Sequence, residues 1–362
     1  MPLRVVDLSR VLAGPLCGMI LGDLGADVIK VEKPGKGDET RGYGPPFDER
    51  GESAYFLSIN RNKKSIALDL ALESDRSVII GLIGGADVVI DNFIPGKLDT
   101  LGLDPVDLLS SNSRLIWCSI SGFGPESTRP GYDFVTQAES GWMSIAGEPD
   151  GPPMKAGVAL ADVIAGKDAA AAILGRILER NEGALPVDRR RIQISLMTSA
   201  VASLVNVAQS TLVSGNEPRR WGNAHPNLVP YQLFSASDRP FVIAVGSDSQ
   251  WEPCARALGI PELAADPVLA HNAGRVSNRE RVVSAIAGVV SRNTAGHWVN
   301  ALMSAGVPCG EVRTVVEALK NVEASPLSGV ASAVDGSTRL PPPRLDEHGA
   351  ELRERGWRVF AR

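Results

Sequence analysis

Residues 3–32 read LRVVDLSRVLAGPLCGMILGDLGADVIKVE. LRVVDL (3–8) predicts a short buried strand. Pro15 suits the first turn of a helix that runs to about Leu24, with Gly25 as its C-cap. ADVIKVE (26–32) predicts a second strand. Strand, helix and strand within about thirty residues form a βαβ unit, which requires parallel pairing. The alternation continues outward. SIALDL (65–70) is strand-like, Glu73 to Gly84 helical, ADVVIDNF (86–93) strand-like, and LIWCSI (115–120) a further strand before a glycine-containing loop. This is the pattern of a doubly wound α/β domain.

Further along, a helix is expected from Asp162, with Ala170, Ile173, Leu174, Ile177 and Leu178 on one face. RRRIQISL (189–196) predicts a strand and Thr198 to Val213 one helix. GNEPRRWGNAHPNLVPY (215–231) is rich in Gly, Pro and Asn and marks a boundary. A strand pair (YQLFSASDRPFVIAVG, 231–246) and mostly helix follow. Ala324 to Pro343 is Ser, Gly and Pro rich, and Glu347 to Arg355 predicts a short polar helix. The expected division is a large domain of residues 1–214, completed by 321–362, and a small α+β domain of 215–320.

The 362 residues carry 37 Lys and Arg against 42 Asp and Glu, a net charge of −5. That argues against a nucleic-acid binder held by bulk charge, while leaving room for a local basic pocket. The most apolar run, SVIIGLIGGADVVI (77–90), is cut by glycines and Asp87, so no membrane span is expected. MPLRVVDLSRV lacks a signal-peptide apolar core. Cys17, Cys118, Cys254 and Cys309 are scattered, which fits reduced thiols in the cytoplasm. His225, His271, His297 and His348 show no metal-ligand spacing, so no metal site is expected. Glu32 and Asp38 follow the second strand as in a nicotinamide site, but the loop SRVLAGPLCG lacks GxGxxG. Asp162 has two compatible readings. One is an N-cap carboxylate. The other is a nucleophilic or acid/base carboxylate whose pKa the positive helix end lowers.

Several segments in order resemble the class III CoA-transferase family, the carnitine-dehydratase-like group with formyl-CoA transferase and α-methylacyl-CoA racemase. They are Arg4 to Arg41, YFLSINRNKKSIALDL (55–70), ADVVIDNFIPGKLDTLGLD (86–104), SGFGP (121–125), RPGYDFVTQAESG (129–141), MKAGVALADVIAG (154–166), GNAHPNLVPYQ (222–232) and LDEHGAEL (345–352). The resemblance implies a Rossmann-like domain built from both chain ends, a smaller domain and an interlocked homodimer. It implies an acyl-CoA:carboxylate CoA-transferase with coenzyme A as substrate and no permanently bound cofactor. The partners would be an acyl-CoA and a small carboxylic acid.

By the same resemblance, Asp162 in VALADVIAG is the nucleophile, passing through anhydride and aspartyl-CoA thioester intermediates. Lys33 matches a CoA-contacting position, with Arg41, Arg61 and Lys63 as further cations. Leu12, Ala13, Leu68, Asp69, Leu70, Ala71, Asn92, Phe93, Ile94, Arg129, Pro130, Gly131 and Tyr132 fall on segments that line the CoA site. Asp133, Gly222, Asn223, His225 and Asn227 fall on substrate-side loops. The pattern is most similar to members using dicarboxylic partners such as succinyl-CoA. Departures are present. Tyr132 stands where racemases carry a histidine, Thr198 where many members carry aspartate, and residues 327–341 are short for the family. An α-methylacyl-CoA racemase and a non-catalytic CoA binder are the alternatives.

Overall fold

The computed structural model describes residues 2–361. The chain divides into two compact units. The larger takes in the chain up to Met143, Lys155–Glu217 and the chain from Val322 onward; the smaller takes in Ser144–Met154 and Pro218–Asn321.

The larger unit is a six-stranded sheet of β1 (Arg4–Asp7), β2 (Asp27–Glu32), β3 (Lys63–Ala67), β4 (Val88–Asp91), β5 (Ile116–Ser121) and β6 (Arg191–Ser195). Its order is β3-β2-β1-β4-β5-β6, and every neighbouring pair is parallel. This is the doubly wound, Rossmann-like order.

Both faces of each inner strand are buried, as parallel sheets require. Val6, Ile29, Ile66, Val89 and Trp117 point into one core. The other core takes Val5, Val28, Val88, Ile90, Ile116 and Cys118, which meet α1 (Ala13–Asp23). The first set packs against α2 (Glu73–Gly84) and the returning residues Leu352 and Trp357. The second set also meets part of a long helix, α3 (Leu160–Glu182). The first helix ends where Gly25 adopts φ +104, a conformation that costs glycine little.

The returning segment is stitched to the outer edge of β3. The Ala67 amide donates to Asp346 Oδ1 at 2.7 Å, and the His348 amide to the Ser65 carbonyl at 3.0 Å. Asn62 Oδ1 accepts the amides of Arg339 and Leu340. Arg353 donates to the Ala67 carbonyl at 2.9 Å. A covered edge of this kind offers no free pairing surface there.

Four details differ from the sequence expectations. The stretch expected as one helix over Thr198–Val213 is two, Leu196–Ala202 and Asn206–Ser214, bent by 72°. Ser195 caps the first of these early, the Ser203 hydroxyl turns back to the Ser199 carbonyl, and Val205 sits at φ +41. Arg189 and Arg190 form a helical turn rather than strand, because the buried Arg190 guanidinium is held by the carbonyls of Leu109, Asn112 and Leu115. The helix expected from Asp162 begins at Leu160, and its buried face runs through Ala161, Ala165, Ala169, Ala170, Ile173 and Ile177; Leu178 is exposed. The strand expected over 65–70 runs instead from Lys63 to Ala67.

The smaller unit has an antiparallel sheet of β7 (Tyr231–Ser235), β8 (Pro240–Ala244) and β9 (Cys309–Glu311). Phe234, Phe241, Ile243, Trp251, Ile286, Trp298 and Leu302 form its core. The three-residue β9 was too short to read from period. No single helix among the described residues is long and apolar enough to cross a membrane.

Candidate active site

In a doubly wound sheet, ligands enter where neighbouring connections diverge, beyond the carboxyl ends of the central strands. Here that point lies between β1 and β4. The loops leaving them are clamped together: Asn92 Oδ1 accepts the Arg10 amide at 2.9 Å, and Asn92 Nδ2 donates to the Arg10 carbonyl at 2.7 Å. Two cavities open on either side and share Arg10, Phe93, Ile94 and Pro95. The larger, about 720 Å³, is walled mainly by apolar groups and includes Lys33, Leu68, Asp69, Leu70, Ala71 and Lys97. The smaller, about 200 Å³, includes Leu12, Ala13, Asn92, Arg129, Pro130, Gly131, Tyr132 and Asp162.

Two glycine approaches shape the smaller cavity. Gly166, one turn after Asp162, lies so close to the start of α1 that a Cβ there would come within 2.6 Å of the Ala13 carbonyl. The helix bearing Asp162, α3, therefore presses its first turns against the residues opposite Asp162. Gly122 and Gly131 pack backbone on backbone, with no room for a Cβ on either, closing the far wall.

Asp133 does not line either cavity. Its carboxylate accepts the Ala161 amide at 2.8 Å and the Gln137 side-chain amide at 2.8 Å, so it caps the start of α3 from outside. Gln137 in turn accepts the Ala156 amide at 2.8 Å and fixes the approach to the helix. This corrects the reading of Asp162 as an N-cap. Asp162 is the third residue of the helix, and the cap residue Ala159 offers no side-chain bond.

It also corrects the expected pKa. Burial, and then the Asp133 charge, push Asp162 up to about 7 instead of lowering it. The helix end that would have favoured its charge donates to Asp133. Tyr55 and Tyr43, absent from the expected site residues, belong to the same surroundings. Their rings meet edge-on at 5.5 Å. Burial, and then the Asp162 charge, raise Tyr55 to about 12, which keeps its hydroxyl protonated and able to donate. The only sequence signal was Tyr55's place in the YFLSINRNKKS segment.

The cations divide into two groups. Lys33 and Lys97 are exposed on the larger cavity. Arg10 and Arg129 flank the smaller one, paired with Glu39 at 3.2 Å and Glu139 at 2.7 Å. Arg41, Arg61 and Lys63, expected as further CoA cations, are structural instead. Arg41 bridges Glu32 and Glu52, both at 2.7 Å. Arg61 pairs with Asp23 at 2.6 Å and holds the carbonyls of Ser328 and Val330. Lys63 is fully buried on Asp7, the Pro15 carbonyl and Asn60. Each sits where burial demands an internal partner.

Gly222, Asn223, His225 and Asn227 lie in the smaller unit. Gly222, at φ +57, donates its amide to Gly147. His225 Nδ1 accepts the Asn227 amide at 3.0 Å, leaving Nε2 as the protonated nitrogen, and its ring packs 5.2 Å from Tyr231. Arg279 holds the His225 and Pro226 carbonyls.

A parallel Rossmann-like sheet with two adjoining cavities at its switch point, one of them holding a partly buried carboxylate, suits an enzyme site. Residues 2–352 match the family model described as CoA-transferase family III, and the chain belongs to that family of enzymes. It is 39% identical to the succinyl-CoA:glutarate CoA-transferase of Mus musculus, covering 88% of this chain and 73% of that one. It is 37% identical to the succinate–glutarate CoA-transferase of Agrobacterium fabrum and to the acetyl-CoA:oxalate CoA-transferase of Acetobacter aceti, covering in each case 97% of this chain and 94% of the other. Among solved structures, a CaiB/BaiF family protein from Brucella suis superimposes with a TM-score of 0.86 at 40% identity, covering 97% of both chains.

Proposed function

We propose that this enzyme moves CoA between small carboxylic acids, with succinyl-CoA or another dicarboxylyl thioester as donor, and that Asp162 is the nucleophile. The observation that carries this is the carboxylate of Asp162, partly buried in the smaller cavity, which shares Arg10, Phe93, Ile94 and Pro95 with a larger, mainly apolar cavity of about 720 Å³. The dicarboxylic preference is supported by relatives named for succinyl-CoA, glutarate and mesaconate.

In the proposed sequence Asp162 attacks the thioester carbonyl carbon; the C–S bond breaks and CoA leaves as thiolate. The product is a mixed anhydride. The thiolate attacks the Asp162 carbonyl and releases the donor acid, leaving an aspartyl-CoA thioester. The acceptor carboxylate attacks that carbonyl, forms a new anhydride and frees the thiolate. The thiolate then attacks the acceptor's acyl carbon, giving the new acyl-CoA and restoring Asp162. A carboxylate held near pKa 7 is more nucleophilic than a solvated one. The amides at the start of α1, which lack intrahelical partners, and the Gly122 and Gly131 loops are donors for the oxyanions.

Lys33, with Lys97, Arg10 and Arg129, supplies the positive charge for CoA phosphates. Two further expectations belong to the same proposal. Apolar side chains exposed on Leu212 and Val213, and on Val315 and Val316, support an interlocked homodimer. Four free cysteines support a reducing, cytoplasmic setting.

The test is intact-protein mass spectrometry after mixing with succinyl-CoA, then peptide mapping. A CoA thioester or succinyl adduct on Asp162 is expected. An adduct on another residue, or full-rate transfer by Asp162→Asn, refutes the assignment.

A further inference from the structure

The turn between β1 and α1 contains a conformational anomaly. Val11 sits at φ +68, a left-handed conformation that a β-branched residue resists. Its neighbours Leu12 and Ala13 line the cavity that holds Asp162. Something must hold the turn, and the structure shows what does. Asp38 Oδ1 accepts the Val11 amide at 3.3 Å, together with the Thr40 amide at 3.0 Å. Its other oxygen pairs with Lys30 Nζ at 2.9 Å, both side chains being fully buried. Lys30 also donates to the Ser9 carbonyl at 3.0 Å. One buried ion pair therefore grips the turn on both sides of Arg10.

We infer that Asp38 is a positioning residue for the transfer reaction: it holds the strained Val11 turn so that the start of α1 faces Asp162 in the geometry that oxyanion stabilisation needs. Lys30 keeps Asp38 in place and takes no part in chemistry. This inference rests on the transfer reading of the cavity. Acyl exchange by the wild-type enzyme is therefore the reference, and its absence would fail that reading and not this one.

The experiment compares K30M/D38N with K30M/D38S. Both lose the ion pair without leaving a lone buried charge. Asparagine keeps an oxygen at the distance that reaches Val11. Serine still caps Thr40 but is too short for Val11. With succinyl-CoA and glutarate, kcat of K30M/D38S is expected to fall about 10- to 100-fold below K30M/D38N, with KM for succinyl-CoA within about threefold. Adding Val11→Gly, which adopts positive φ without strain, is expected to recover at least a third of the lost rate. If K30M/D38S does not fold, the same triple variant must fold and approach the rate of K30M/D38N. Equal kcat for the asparagine and serine variants, a loss confined to KM, or no recovery with glycine overturns the inference.

Discussion

Two settings for buried carboxylates in the larger unit have opposite results. Beneath the cavities, Asp7, Glu32 and Asp38 each meet a cation: Lys63, Arg41 and Lys30. All three carboxylates are held below their ordinary pKa despite burial, Asp38 at about 2. At the cavity wall, Asp162 meets another carboxylate, Asp133, and rises to about 7. Burial alone raises both sets, and the neighbour decides the sign. The paired set has its charge spent on architecture. The unpaired one is left without a cation, as the role proposed for it requires.

The largest effect is expected at Asp162. Asp162→Asn is expected to lower transfer at least about 10³-fold while CoA still binds; steady-state kinetics with isothermal titration measures both. Next in size is the paired set. Lys63→Met strands Asp7 in the core and is expected to cost about 3–5 kcal/mol in denaturant unfolding. A loss under about 1 kcal/mol would mean that the buried network is not structural.

A smaller effect tests the like charge beside Asp162. The acid limb of kcat/KM is expected near pH 7, rate being lost as Asp162 protonates. Asp133→Asn keeps an acceptor for the Ala161 amide but removes the charge, and so should move that limb to lower pH by about half a unit or more.

Stability gives a related test. Asp162 titrates near 7 when folded and near about 3.9 when unfolded. Between those values the native chain holds the extra proton, so this group's contribution is full below about pH 4 and is lost as pH rises through 7. Asp162→Asn should therefore raise Tm relative to wild type at pH 8 by a few degrees, and by less at pH 5. Smallest is Lys33→Ala. An exposed cation on the larger cavity is expected to change CoA affinity about three- to tenfold, read by the same titration.

Much of the sheet was legible because buried parallel strands read as apolar runs, and Pro15 and Gly25 punctuate the first helix. Asp162 could be placed by its motif, but its surroundings could not. Asp133 caps Ala161 from 28 residues away, and Tyr55 bears on Asp162 from more than a hundred. No local period encodes such meetings. Arg61 and Lys63 misled for the same reason. In the sequence they are a basic run; in the fold, Asp23 and Asp7 consume them. The Val205 break was hidden because the apolar pattern runs straight through it.

The stitching of the returning segment to β3 also sets a timetable. Ala67 waits for Asp346, 279 residues later in the chain. At roughly 5–20 residues per second, translation leaves that sheet edge open for about 15–55 s. During synthesis the nascent domain therefore carries an unsealed strand that only the last stretch of the chain can close. A ribosome-bound chain stalled before Asp346 should be a better substrate for chaperones, and a more aggregation-prone species, than one stalled just after Arg353.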